Sequence, residues 1–144
     1  MNDERLIFHL SIPVHDLDEA LAFYQTAVGA VVGRRSVDWL DVLMWGHQVT
    51  LQLRPDEVLG PNEQGKRHFG VVLPWSRWRS EADRLRSSAI NFLSEPHFLH
   101  EGTEQEQAKF YLQDPSNNVI EVKAYKNFER VLGANAEGYT YDGT

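Results

Sequence analysis

Three side chains able to bind a metal ion interrupt three otherwise apolar stretches of the sequence. His9 stands in LIFHLSIPV, His68 in RHFGVVL and Glu121 in VIEVKA. Strand side chains alternate between faces, so Ile7, His9 and Ser11 share one face of the first stretch while Phe8, Leu10 and Ile12 form the packed one. His68 and Gly70 alternate with Phe69 and Val71, and Glu121 with Ile120 and Val122. Two imidazoles and one carboxylate on one side of a divalent ion leave positions open for water, dioxygen or a bidentate substrate, the arrangement of non-haem Fe(II) oxygenases. Zinc accepts the same donors. A single histidine in an apolar strand is more often a hydrogen-bonded core residue. The matched placement of two, with a carboxylate that is costly to enclose unless paired or coordinated, argues for ligands.

Other residues form a second tier. Gln52, in the last strand expected in the first half, corresponds by position to Glu121 in the second, which makes it a fourth ligand or a substrate contact. His97 and His100 fall in an expected loop over residues 96–107, where either can act as acid or base on a bound substrate. Tyr111 can hydrogen-bond a substrate oxygen, although a strand aromatic more often packs in a core. His47 suits a turn at Gly46-His47, and His15 a strand-to-helix junction. Trp39, Trp45, Trp75 and Trp78 read as core or subunit-interface residues.

The elements that must position these groups repeat. A strand over residues 6–14 leads to Asp16, which can cap a helix starting near Leu17, with Glu19 placed to complete a capping box. Leu17, Ala20, Leu21, Tyr24 and Val28 form an apolar stripe, and Gly29 supplies the stop. Strands follow near 30–36, 39–45 and 48–54. Residues 55–66 (PDEVLGPNEQGK) are a linker without period. The order then returns: a strand over 67–73, a helix over 77–89 with Trp78, Ala82 and Leu85 on one side, and strands near 91–95, 109–113 and 119–124, with a turn at 114–118. The expectation is one α+β domain over residues 1–144, made of two β-α-β-β-β modules (about 5–54 and 67–125) whose curved, partly open mixed sheets enclose a cleft. A polar tail covers 126–144, and its stretch from 133 is expected to be mobile or to lie on a partner subunit.

Composition narrows the chemistry. With no cysteine among 144 residues, thiolate ligands, a thiol nucleophile and disulfides are excluded. A formal charge of -7 disfavours nucleic acid as a partner. The acidic start lacks the pattern of a secretory signal, and no apolar run approaches a membrane span, so the expected location is the cytoplasm.

The stretches FHLSIPV, LDEALAFYQTAVGAVVGRR, HFGVVL and FYLQDPSNNVIEVKAY resemble those of the vicinal oxygen chelate superfamily, which unites glyoxalases, bleomycin-resistance proteins and extradiol dioxygenases. The resemblance runs from about residue 6 to 125. Through WLDVLMWGHQVTLQL, RHFGVVLPW and the segment ending in EVKAYKN, the chain is similar to small members described as extradiol-type dioxygenases. The resemblance implies the glyoxalase/dioxygenase-like fold, metal ligation by His9, His68 and Glu121, Fe(II) ahead of Zn, Mn or Ni, and a small catechol-like substrate. A homodimer is the default for such folds. Alternatives within the same resemblance are glyoxalase I-type isomerisation, metal-dependent thiol transfer and metal-free binding of a small molecule. Gln52, where glyoxalase I usually has Glu, counts against the isomerase.

Overall fold

A computed structural model describes residues 4–129. Among them run β1 (His9–Val14), α1 (Leu17–Val28), β2 (Val31–Arg35), β3 (Trp39–Met44), β4 (His47–Leu53), β5 (Phe69–Val72), α2 (Trp75–Arg86), β6 (Phe92–Leu99), β7 (Gln107–Gln113) and β8 (Val119–Tyr125). The strands form two four-stranded mixed sheets, ordered β1-β4-β3-β2 and β5-β8-β7-β6. The fold is α+β with a duplicated β-α-β-β-β unit, as the sequence predicts. The tail from residue 133 lies outside the described residues.

The chain divides into two compact units. Among the described residues, 4–67 with 113–119 make the first, and 68–112 with 120–129 the second. In the first, β1 pairs parallel with β4, and β3 is antiparallel to β4 and β2. A parallel pair needs a crossover, which α1 and the following hairpins supply. Asp16 caps α1 by accepting from the Glu19 amide at 2.8 Å. Gly29 ends the helix at φ 67°, a left-handed conformation that costs glycine little. Leu17, Ala20, Tyr24 and Ala27 of α1 are buried, as are Leu40, Val42, Met44, Val49 and Leu51 of the sheet.

The turn between β7 and β8 belongs to the first unit because its polar groups are satisfied there. The buried Tyr24 hydroxyl donates to Asp114 Oδ2 at 2.7 Å. The Ser116 hydroxyl sits 2.9 Å from the His15 amide that donates to it and 2.8 Å from His15 Nδ1. Asn118 Nδ2 donates to the Pro13 carbonyl at 3.0 Å. Burial raises the Asp114 carboxyl pKa even though Asn118, Tyr24 and backbone amides donate to its charged form.

In the second unit β5 pairs parallel with β8, and β6 antiparallel with β7. Trp78 carries the core: its indole N–H donates to the Val122 carbonyl at 3.0 Å. Its ring packs 5.5 Å from Phe98 and 5.8 Å from Phe110 between centroids.

Several boundaries differ from expectation. The α2 helix starts at Trp75 rather than residue 77, directly after Pro74, so no Ser, Thr, Asp or Asn signals its start. The β3–β4 turn is Trp45-Gly46, with φ 53° and 79°, and His47 opens β4, where Nδ1 accepts from the Phe8 amide at 3.0 Å. Phe8 was expected on the packed face but precedes β1 and is 62% exposed. The β6 strand runs to Leu99 through Pro96, which an edge strand tolerates. His97 is therefore a strand residue, not a loop residue.

Candidate metal centre

Glu121 lies in the middle of β8, buried at 7% exposure, on the face opposite Ile120 and Val122. Its Oε2 is 3.0 Å from His68 Nε2 and 3.9 Å from the Lys123 ammonium. Its Oε1 accepts from the Tyr111 hydroxyl at 3.1 Å, and the Tyr111 and His68 rings meet edge-on at 5.7 Å. Burial, then the hydrogen bond to Glu121 and its charge, raise the Tyr111 pKa, so its hydroxyl stays a proton donor at neutral pH. Lys109 lies over the Tyr111 ring at 5.6 Å and Lys123 over Tyr125 at 5.4 Å. Burial lowers the Lys123 ammonium pKa, but hydrogen bonding to Tyr125 and the charge of Glu121 outweigh it and leave the value raised.

Gly70 makes room for this cluster. It pairs with Glu121 across the β5–β8 ladder, and a Cβ at position 70 would collide with the Glu121 backbone carbonyl. His97 pairs with Lys109 and so shares the face of Tyr111 and Glu121, with Nδ1 2.8 Å from the Glu95 carbonyl. His100 occupies the turn after β6 at φ 54° and holds that turn through its own carbonyl, which accepts from the Thr103 amide.

In the first unit His9 is exposed on the open face of its sheet, with Nδ1 2.8 Å from Gln48 Oε1. Around it lie polar groups that sequence reasoning passed over. Asp41, 3% exposed, takes the Thr50 hydroxyl at 2.7 Å and the Arg34 guanidinium at 2.9 Å. Gln48 Nε2 donates to the same carboxylate at 3.4 Å. The alternation QVTLQ was the available signal, since it places Gln48, Thr50 and Gln52 together on one face.

Strand register corrects one correspondence. Ser11 pairs with Thr50 and Gly70 with Glu121, each two residues past its histidine. Thr50, not Gln52, therefore matches Glu121, and Gln52 matches Lys123. Gln52 instead lines a shallow depression of about 210 Å³ with Ser11, Pro13, Arg54 and Glu57. Within neither unit do the described residues gather three His, Asp or Glu side chains around one point.

The donor types that each unit carries are ones a divalent ion accepts. The second unit joins a carboxylate and an imidazole nitrogen on one open face, with a hydroxyl hydrogen-bonded to the carboxylate. The first presents one exposed imidazole.

This duplicated fold, with a histidine at the head of each module and a glutamate in the last strand, defines a class. Residues 6–122 match the family described as the Glyoxalase/Bleomycin resistance protein/Dioxygenase superfamily, and the chain belongs to it. A glyoxalase/bleomycin resistance protein/dioxygenase from Alicyclobacillus acidocaldarius is 32% identical, covers 90% of this chain and 98% of its own, and superposes with a TM-score of 0.79. The fosfomycin resistance protein FosX from Listeria monocytogenes is 18% identical over 88% of this chain and 98% of its own, with a TM-score of 0.68. A lactoylglutathione lyase from Agrobacterium tumefaciens is 16% identical over 85% of this chain and 95% of its own, with a TM-score of 0.60. At those two identities the likeness is one of fold. Comparison with curated proteins found no match. No described helix is long and apolar enough to cross a membrane.

Proposed function

We propose that the chain is a metal-dependent enzyme that holds one divalent ion through His9, His68 and Glu121 and acts on a small substrate offering two adjacent oxygens. The observation that carries this reading is the buried Glu121 carboxylate, 3.0 Å from His68 Nε2 and 9% exposed at its side chain. A carboxylate buried there is expensive to keep unless hydrogen-bond donors, cations or a metal face it.

The favoured reaction is extradiol-type dioxygenation of a catechol-like substrate, with Fe(II) ahead of Zn, Mn or Ni. A bound divalent ion would supply Lewis acidity and, as iron, the electron transfer that lets dioxygen react. The rest is the work of side chains. Tyr111, protonated, donates its one hydroxyl proton to Glu121 and would turn it to a substrate oxygen once a metal takes up that carboxylate. Lys109 and Lys123 make that face attractive to an anionic oxygen. His97, on the same face, is the better placed acid or base. His100, in the turn after β6, is the second candidate. Gln52 is a substrate contact rather than a ligand.

The match of Thr50, not a carboxylate, to Glu121 favours a three-ligand set over a four-ligand one. This weighs against the glyoxalase I-type isomerase, to which the sequence resemblance assigns a second glutamate. A homodimer in the cytoplasm completes the proposal.

The test is dioxygen consumption by Fe(II)-loaded protein with a panel of substituted catechols, beside Zn-loaded protein. Uptake with iron alone, abolished in Glu121→Ala, supports dioxygenation. Metal-independent, stoichiometric ligand binding without turnover would replace it with a binding module.

A further inference from the structure

The polar network behind His9 fixes more than packing. Asp41 is buried on β3 and receives the Arg34 guanidinium at 2.9 Å and the Thr50 hydroxyl at 2.7 Å, so its oxygens act as acceptors. The Gln48 group facing Asp41 Oδ2 at 3.4 Å must therefore be its NH2, the only end of an amide that donates. That orientation turns Oε1 toward His9 Nδ1, 2.8 Å away, and a carbonyl oxygen can only accept. The proton of neutral His9 must then sit on Nδ1. Among the described residues no partner is recorded at its Nε2.

We infer that Asp41 and Gln48 form a positioning relay, in which the buried carboxylate orients the amide and the amide holds His9 with its proton on Nδ1 and its Nε2 lone pair turned outward as a donor nitrogen. Metal-binding histidines commonly donate their other N–H to such a partner, which fixes both tautomer and ring orientation. Gln48 and Asp41 touch neither metal nor substrate in this scheme and act only through His9. Gly33 packs closely on the same residue: a Cβ there would stand 3.2 Å from Asp41 Cβ and from its backbone carbonyl oxygen. The inference rests on the proposed ligand role of His9 for its purpose, but the tautomer itself is decided without metal.

The test is long-range proton–nitrogen correlation spectroscopy on the full, metal-free, nitrogen-labelled chain at a pH of about 8, where histidines are mostly neutral. His9→Gln identifies the His9 signals among the six histidines. The parent is expected to show His9 protonated on Nδ1. Gln48→Met, whose thioether is only a weak acceptor, is expected to move the proton to Nε2, and Asp41→Asn to mix the tautomers by freeing the amide to turn. Gln48→Glu restores an acceptor and is expected to keep the parent tautomer, which a packing role would not require. A parent protonated on Nε2, or an unchanged tautomer in a well-dispersed Gln48→Met spectrum, overturns the relay. Titration with Fe(II) and Zn(II) separates this from the functional proposal. A parent that binds metal should weaken about 10- to 100-fold in Gln48→Met and far less in Gln48→Glu. A parent that binds neither ion would defeat the metal site while the spectra still decide the relay.

Discussion

Removing the Tyr24 hydroxyl is expected to destabilise the protein by an amount that grows with pH. Tyr24 is fully buried, and its hydroxyl is one of the donors that hold Asp114, with Asn118 Nδ2 sharing Oδ2 and the Ser116 and Asn118 amides on Oδ1. Burial holds the Asp114 pKa above its unfolded value, so this group favours the fold below the unfolded pKa and loses that contribution as pH rises through the folded one. In Tyr24→Phe the charged form loses a donor, and the folded pKa climbs further. Where Asp114 is ionised the missing bond is one to a charged group, worth about 1.5–3 kcal/mol. In acid it is a bond to a neutral carboxyl, worth about 1 kcal/mol. Urea unfolding of parent and variant from pH about 4 to about 8, spanning ordinary to raised carboxyl values, reads the difference. A deficit that is flat across this range, or that shrinks as pH rises, would refute the reasoning.

Gly70→Ala is expected to cost at least about 1–3 kcal/mol, because the new methyl meets the Glu121 backbone, which cannot swing away. Gly29→Ala, with open space around it but φ 67°, should cost only the left-handed strain of about 1–2 kcal/mol. Urea midpoints for the pair check both. Trp78→Phe removes the donor to the Val122 carbonyl and should lose about 1–3 kcal/mol in the same assay, beyond any loss of packing. The Glu106 pKa is lowered, first by the Gly102 amide and then by Lys126, with burial opposing. A lowered carboxylate stabilises above its unfolded pKa, and that contribution disappears as pH falls through the folded value. Glu106→Gln should therefore unfold with a flatter acid limb than the parent, and equal acid limbs would contradict this.

The fold was legible wherever local chemistry and pattern agreed. Asp16, Glu19 and Gly29 announce both ends of α1, and alternating apolar residues mark the strands. The misplacements have physical causes. Pro74 starts α2 without a side-chain cap, so the helix begins before any signal. Pro96 reads as a strand breaker, yet an edge strand does not need its missing N–H, and β6 continues through His97. Phe8 has an apolar type on a packed-side position, but it lies ahead of β1 and stays exposed. At the site, alternation put Glu121 on the face opposite Ile120 and Val122, and its Oε2 lies 3.0 Å from His68 Nε2. The alternation QVTLQ shows Gln48 and Thr50 on one face, but their link to Asp41 lies in cross-strand register that no single strand displays. The same register moved the counterpart of Glu121 from Gln52 to Thr50.

The most direct measurement is the metal content of tag-free protein purified without chelators, by elemental mass spectrometry, for the parent and for folded His9→Ala, His68→Ala and Glu121→Ala. The account predicts one equivalent of divalent metal per chain in the parent and a large loss in each of the three variants. Near-zero metal in the parent after addition of Fe(II), Mn, Ni or Zn, or full retention in any one variant, would contradict it.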